Sequence, residues 1–225
     1  IDKSNLDVAG RVSFVNSYTE LNNSSNANFK DGLSLFDSAM LLKNSSSLNV
    51  SGVADFEDSA LVVQNGSKVM FNDSFIMRNK ENGAEKSIII LDNGSEINIK
   101  GDFENHGVIY YGASADNAPK ITVDGKATLK DTTEIGIYAT SGLNQAVFLE
   151  SKEEIENEAT DENIYAMYFD PNNKDANEEG LVKYDENIID ATLKLSEDGK
   201  KLLVQISMSD DMQNNIAQSA QALGV

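Results

Sequence analysis

The sequence has no cysteine and no tryptophan, only two prolines and a single histidine. Without cysteine, the chain can form no disulfide framework, no thiolate nucleophile and no Cys-ligated zinc site. Some secreted proteins avoid cysteine because a premature disulfide would block their passage through a narrow pore, so its absence does not by itself indicate the cytosol. No apolar run approaches the roughly 18 residues that a membrane-spanning helix needs. The densest run, residues 87–91, has the length of a strand.

Basic residues are also scarce. The chain carries 37 acidic against 18 basic residues, a formal net charge of −19. Such a charge repels nucleic acid and anionic lipid head groups, so we predict no nucleic-acid partner and no membrane insertion. The chain begins Ile1-Asp2-Lys3, without an initiating Met or a signal peptide, and we expect it to be the mature part or a fragment of a longer protein.

An internal repeat is present. Residues 48–58 read LNVSGVADFED, with apolar residues at alternate positions followed by a turn residue. Residues 6–16 (LDVAGRVSFVN) and 121–131 (ITVDGKATLKD) follow the same template, residues 97–101 begin another copy, and residues 69–75 fit less well. Residues 37–44 also match residues 58–65 position by position. Spacings of about 21 to 28 residues are typical of a solenoid.

One such repeat cannot bury its apolar face alone, whereas stacked repeats can, because each strand pairs with its counterpart in the next coil. We therefore predict an all-β parallel, right-handed β-helix. Equivalent residues should form inward columns: Leu6, Leu48, Val69, Ile97 and Ile121 in one, and Val8, Val50, Phe71, Ile99 and Val123 in the next. An antiparallel sandwich also uses short alternating strands but does not need the same residue class at each position of every repeat. A leucine-rich repeat would need an Asn ladder and a helical half-repeat, which are missing.

Turn residues recur at fixed positions of the repeat. The recurring glycines are expected to permit tight bends or bulges, and Asn before Gly or Ser suits turns with positive φ. The glycines are Gly10, Gly52, Gly101 and Gly125; four of the asparagines, Asn44, Asn65, Asn72 and Asn93, also lie in glycosylation sequons. Turn chemistry accounts for these asparagines without glycosylation.

The sequence divides into three parts: solenoid coils in residues 1–140, a loop-rich region with a closing β-hairpin in 141–209, and a helical tail in 210–225. Residues 80–86 and 111–119 interrupt the coils as loops. The acidic residues 149–163 suggest a solvated helix or flexible loop, or else a divalent-cation site, for which EF-hand spacing is missing. Residues 188–194 and 202–208 predict a hairpin around the turn 197–199 that caps the solenoid. In the tail, capped by Asp210 or Asp211, Met212, Ile216, Ala220 and Leu223 share one helix face.

No catalytic, cofactor-binding or metal-binding residue can be assigned from the sequence. His106, which a Ser–His–Asp triad would have to use, lies in a predicted turn. The nucleophile elbow, the phosphate loop and the His-Glu-x-x-His motif do not occur. With 37 acidic residues, carboxylate pairs suited to glycoside hydrolysis are expected by chance. Of the adjacent Tyr110 and Tyr111, one ring should point inward and the other outward.

The Leu-x-Val-x-Gly-x-Ala-x-Phe pattern of residues 48–56, with Asn-Gly-Ser turns, resembles the passenger β-helix of bacterial autotransporters. The resemblance covers residues 4 to 140 and, more loosely, the hairpin region; the Asn-rich short coils are similar to vacuolating-cytotoxin-like passengers. It implies an extracellular protein delivered through a C-terminal outer-membrane barrel, acting as an adhesin, toxin or aggregation factor. Our leading hypothesis is an interaction module in adhesion or virulence, with a host-cell or bacterial surface protein or glycan as partner. A carbohydrate-active enzyme and a structural spacer remain the alternatives.

Overall fold

The computed structural model describes residues 1–80, 86–92, 94–114, 117–141, 145–169, 181–184, 189–209 and 212–214. Within these residues the chain winds through successive coils, each contributing one strand to each of three sheets. Within each sheet, strands of neighbouring coils pair in parallel until the last coil. The chain is therefore a parallel β-solenoid, as the repeat predicts, and the antiparallel sandwich is excluded.

Sheet 1 contains nine strands. They are β1 (Asn5–Val8), β4 (Asn26–Phe29), β7 (Ser47–Val50), β10 (Lys68–Phe71), β13 (Glu96–Ile99), β16 (Lys120–Val123), β19 (Gln145–Ser151), β24 (Lys201–Met208) and β23 (Ile189–Leu195), in spatial order. Sheet 2 contains seven strands. They are β2 (Val12–Val15), β5 (Leu33–Phe36), β8 (Ala54–Glu57), β11 (Phe75–Arg78), β14 (Phe103–Asn105), β17 (Ala127–Leu129) and β20 (Glu156–Asn157).

Sheet 3 contains eight strands. They are β3 (Tyr18–Leu21), β6 (Ala39–Leu42), β9 (Ala60–Val63), β12 (Ile88–Leu91), β15 (Val108–Ser114), β18 (Glu134–Ser141), β21 (Ile164–Phe169) and β22 (Leu181–Lys183). A short 3₁₀ helix, Asp161–Asn163, precedes β21. In the last coil β24 pairs antiparallel with β19 and β23, and β22 pairs antiparallel with β21.

Both predicted columns exist. The register places Leu6, Ala27, Leu48, Val69, Ile97 and Ile121 above one another, and likewise Val8, Phe29, Val50, Phe71, Ile99 and Val123. Nearly all these side chains are fully buried; only those of the first coil, Leu6 and Val8, remain partly exposed. Comparing the internal repeats by sequence missed the coil that contributes Ala27 and Phe29, because Ala27 is small and lies among asparagines. With it included, the first four coils repeat every 21 residues.

Aromatic rings fill the middle of the core. The rings of Phe71 and Phe75 stack with centroids 4.3 Å apart, and Phe103 continues the stack 5.6 Å from Phe75. Phe56 packs edge-on against Phe75 at 5.0 Å. Stacked and edge-to-face aromatic pairs stabilise a core beyond their burial alone. Since these rings come from three successive coils, they join the coils through the interior.

The bends between sheets 1 and 2 explain the recurring glycines. At Gly101 an added Cβ would lie 2.5 Å from the backbone nitrogen of Ser74 in the coil below, so a side chain at this position would collide with backbone. The turns between sheets 3 and 1 use positive φ instead, 56° at Asn44 and 54° at Asn65. Both expectations from the sequence are therefore confirmed at Gly101, Asn44 and Asn65. Asn72 does not have a positive φ, so the expectation is wrong there, and an added Cβ at Gly10 would meet no atom within 4 Å. Asn93 lies outside the described residues.

Several expectations beyond the first coils need correction. Parallel pairing continues past residue 140, through β20 and β21. The acidic residues 149–163 form neither a long helix nor a flexible loop: they contain the end of β19, then β20, then the 3₁₀ helix. Tyr111 lies within β15, not in a loop, and its buried hydroxyl donates to the carbonyl of Pro119.

Lysines of neighbouring strands pair with three of the acidic side chains in this segment. Glu150 pairs with Lys120 at 2.6 Å and Lys201 at 3.3 Å. Lys126 pairs with Glu156 at 2.6 Å, and Lys130 with Glu158 at 3.0 Å. The glutamates would repel one another along the chain, and the lysines on the adjacent strands offset this repulsion.

The predicted hairpin is present. β23 and β24 surround a turn in which Gly199 has φ 69°, and Leu202 and Val204 of β24 are buried beneath the last parallel coil. Only residues 212–214 of the predicted tail helix are described, and they are helical. At the opposite end, β1, β2 and β3 are the edge strands of their sheets.

Candidate ligand-binding groove

The corner between sheets 2 and 3 carries a groove of about 820 Å³ that crosses five successive coils. We call it the corner groove. Its lining consists of residues 16–18, 37–39 and 58–60 together with Lys86, Ile88, Val108 and Tyr110. The turn before each sheet 3 strand forms one wall, and the first outward residues of those strands form the floor.

A serine ladder builds the wall of the corner groove. In three successive turns a backbone N–H donates to the serine hydroxyl of the next coil: Ser17 to Ser38 at 3.0 Å, Ser38 to Ser59 at 3.1 Å and Ser59 to Ser87 at 3.2 Å. Each hydroxyl in turn donates to a carbonyl of its own turn, as Ser59 does to Glu57 at 2.7 Å. We call these four residues the corner ladder. They fix the coils against one another with every ladder group paired.

Aspartates stand before the ladder serines. Asp37 and Asp58 have φ of 47° and 46°, and Asn16 occupies the same position one coil earlier with 48°. Asn and Asp are the non-glycine residues that tolerate this region best. One oxygen of Asp58 accepts the backbone N–H of Lys80, and Asp37 makes no ion pair with any described residue. The rim of the corner groove is therefore negatively charged.

Beside the groove, the outer face of sheet 3 is apolar. Its outward residues in the middle coils are Ala39, Leu41, Ala60, Val62, Ile88, Ile90 and Val108, which we call the apolar panel. Ile90 and Val108 are buried, and the other five side chains are partly exposed. Outward positions of sheet 1 at the same level are mostly polar instead: one column reads Asn28, Asn49, Met70 and Asn98. Since the two sheets belong to the same coils, the apolar character belongs to sheet 3 and not to the repeat as such.

A polar cluster closes the far end of the panel. Glu134 accepts a hydrogen bond from Lys86 Nζ at 2.6 Å and one from the Tyr165 hydroxyl at 3.2 Å. Burial raises the pKa of Glu134, but the Lys86 hydrogen bond and charge, with weaker contributions from Lys183 and Tyr165, outweigh it and leave the pKa below its usual range. Glu134 therefore stays ionised near neutral pH, which does not suit a general acid.

Two tyrosines flank a glycine in this cluster. Tyr110, Gly136 and Tyr165 are partners in one outward column of sheet 3. A Cβ on Gly136 would lie 2.7 Å from the Tyr110 ring and 2.9 Å from the Tyr165 ring, so only glycine leaves room for both. Lys183 lies 3.5 Å above the Tyr165 ring as a cation–π partner. Burial raises the pKa of the Tyr165 hydroxyl, which therefore remains protonated.

The other candidate residues lie elsewhere. His106 occupies the turn between β14 and β15, with Nε2 2.6 Å from Glu104 Oε1 and its carbonyl accepting bonds from Asn79 and Thr132. Tyr110 points outward and Tyr111 inward, as the sequence predicts. Residues 81–85 of the predicted insertion loop lie outside the described residues. Among the residues that the structure describes, no three His, Asp or Glu side chains are grouped closely enough to hold a metal ion.

Sequence reasoning missed the apolar panel, although a signal for it exists. Residues 39–42, 60–63 and 88–91 are continuous apolar runs without the alternation of the sheet 1 strands. Continuous runs indicate a strand that is apolar on both faces.

Comparisons with protein families, with curated proteins and with solved structures gave no match for this chain. No helix in the described part of the chain is both long and apolar enough to cross a membrane. The fold and the groove are therefore the basis for assigning a function.

Proposed function

We propose that this chain is an extracellular interaction module, of the kind found in autotransporter passengers, that acts in adhesion or virulence by binding a partner on a host-cell or bacterial surface. One observation carries the proposal. The corner groove crosses five coils and adjoins the apolar panel, so this side of sheet 3 has aliphatic side chains at outward positions where a strand that only faces solvent would have polar ones. Contiguous apolar surface bordered by polar residues is typical of interaction sites.

Three further features support a binding role, and a fourth supports export. The ladder and the stacked core hold the groove residues on rigid strands, which favours binding without large rearrangement. The net charge of −19 keeps such a surface in solution. Glu134, a half-buried carboxylate beside the panel, already accepts hydrogen bonds from Lys86 and Tyr165 and therefore has a structural role. The absence of cysteine suits export through a pore.

Binding of the purified chain to cultured epithelial cells and to bacteria tests the proposal. We expect saturable binding that falls strongly in Val62→Arg, which places a charge in the centre of the apolar panel. The matched control is Asn49→Arg, an outward substitution in sheet 1 of the same coil, and it should bind like the parent. Absence of saturable binding to every surface tested, or equal loss in both variants, would contradict the proposal.

The extracellular location has its own test. Antibody raised against the chain should label intact cells of the producing organism, or the protein should be recovered from the medium. Labelling only after cell lysis would place the protein inside the cell and contradict this part of the proposal.

A further inference from the structure

We infer that the corner groove and the apolar panel take a cationic amphipathic segment of a partner protein, whose apolar side chains lie on Leu41, Val62 and Ile88 while Lys or Arg side chains meet Asp37 and Asp58. This inference rests on the proposed binding role and specifies the chemistry of the partner.

The aliphatic character of the panel selects the apolar part of the ligand. The register aligns Leu41, Val62 and Ile90 in one outward column and Ala39, Ala60 and Ile88 in the other. Small alanines beside larger side chains leave a depression next to the turns, which is the floor of the corner groove. Branched aliphatic side chains of a protein segment fill such a depression, and their burial is favourable in proportion to the apolar area covered.

The acidic rim selects the charge of the ligand. Asp37 and Asp58 lie in successive turns on one side of the panel, and neither has an ion-pair partner among the described residues. Lys86 on the groove wall is held by Glu134 at 2.6 Å and does not neutralise the rim. Complementary charge at the edge of an apolar contact gives a ligand its orientation and speeds its encounter. A basic segment satisfies this condition and an acidic one does not.

The length of the groove sets the length of the segment. The lining extends from the Tyr18 coil to the Val108 coil, which are four coil steps apart. At about 4.8 Å per step this distance is roughly 19 Å. A helix rises 1.5 Å per residue, so about 13 residues cover the groove.

A second copy of the chain fits the groove less well. Each copy carries a net charge of −19, and a symmetric pairing would bring the same acidic surface from both sides. Anionic membranes are disfavoured by the same charge.

A designed probe tests the inference directly. The probe is a fluorescein-labelled 14-residue peptide of Leu and Lys in an amphipathic helical pattern, and its counterpart has Glu in place of every Lys. In anisotropy titrations the Leu/Lys peptide should bind saturably and more weakly as salt is raised, while the Leu/Glu peptide should not bind. Binding to phosphatidylcholine vesicles tests whether the surface takes a neutral membrane instead. Sedimentation of the chain alone tests whether it takes a second copy of the chain.

Variants locate the binding. Removing both rim carboxylates (Asp37→Asn with Asp58→Asn) should weaken the Leu/Lys peptide by about fivefold or more, because each lost charge pair contributes modestly at a partly exposed site. Val62→Lys should abolish saturable binding, and circular dichroism confirms that the β structure is retained. The charge-matched control removes two exposed carboxylates elsewhere, Asp7→Asn with Glu153→Gln, and should bind as the parent does.

The outcomes separate this inference from the proposed function. Equal weakening in the control pair would show that net charge, not the corner groove, attracts the peptide, and binding of the Leu/Glu peptide would remove the charge argument; either overturns the inference. If the Leu/Lys peptide does not bind, the inference is wrong. Vesicle binding that Val62→Lys abolishes would then indicate a membrane as the partner, and self-association that Val62→Lys abolishes would indicate a second copy of the chain. If Val62→Arg loses cell binding while no variant affects the peptide, the module stands and the partner chemistry is wrong.

Discussion

The hydroxyl of Ser59 accepts the backbone N–H of Ser38 from the preceding coil at a distance of 3.1 Å. The same hydroxyl donates to the Glu57 carbonyl at 2.7 Å, so one side chain satisfies backbone groups of two coils. Both serines are buried, at 6 % and 3 % exposure. A second ladder of the same kind joins Ser4, Ser25, Ser46 and Ser67 at the turn before sheet 1.

Ser59→Ala removes this acceptor and leaves the Ser38 N–H buried without a partner. Because an unsatisfied buried donor costs about 1–3 kcal/mol, we expect the free energy of unfolding to fall by that amount. Urea titration followed by circular dichroism measures it. Ser13→Ala, an exposed position whose hydroxyl makes no hydrogen bond among the described residues, is the control and should change stability little. A fall below about 0.5 kcal/mol for Ser59→Ala would show that the ladder adds no net stability.

The phenylalanine stack gives a second prediction. Phe75 contacts Phe56, Phe71 and Phe103, and its side chain is fully buried. Phe75→Ala should destabilise the chain by about 3–5 kcal/mol, since it removes buried surface and leaves a cavity that rigid strands cannot close. Phe36→Ala, on the outward side of sheet 2, removes the same ring from a partly exposed position and should cost clearly less. Equal losses in the two variants would contradict the central role of the stack.

The ion pairs between coils predict a dependence on pH. Asp124 is held by Lys152 at 2.9 Å and Lys100 at 3.1 Å, and these hydrogen bonds and charges lower its pKa below the usual value. A carboxylate with a lowered folded pKa stabilises the protein above its unfolded pKa of about 3.9, and this contribution is lost as the pH falls through the lower, folded pKa.

Thermal melting of the parent and of Asp124→Asn from about pH 7 down to about pH 3 checks this sign. The parent should melt at a higher temperature near neutral pH, and the difference should shrink as the carboxylate is protonated. Asp131→Asn, at an exposed turn without an ion pair among the described residues, should show no such convergence. A difference that grows on acidification would contradict the assignment.

The sequence allowed the coil columns to be predicted because the core imposes them. Leu6, Leu48 and Ile121 share one column since each must fill the same position of the interior, and residue class survives at a fixed spacing. The corner ladder was missed because Ser38 and Ser59 read as ordinary polar turn residues; only their repetition every 21 residues distinguishes them. The acidic segment was misread because its partners, such as Lys126 for Glu156, lie one coil away and not nearby in the chain. The groove needs three turns side by side, a relation that no single repeat contains.

The closing hairpin leads to a final prediction, on association. β24 covers the edge of β19 with antiparallel hydrogen bonds, and its own side chains Leu202 and Val204 are buried in the core. An exposed strand edge above an apolar core recruits strands from other molecules. Leu202→Asp places a charge in this buried contact and should detach the cap.

We expect Leu202→Asp to form concentration-dependent oligomers, detected by light scattering after size-exclusion chromatography, and amide exchange should accelerate in β19 and β24 before it does in β7 to β10. Leu203→Asp introduces the same charge on the neighbouring, half-buried side of β24 and should stay closer to the parent in both measurements. If Leu202→Asp instead unfolds all coils together, with no stage at which only the last strands exchange, the hairpin is part of the cooperative core and not a separable cap.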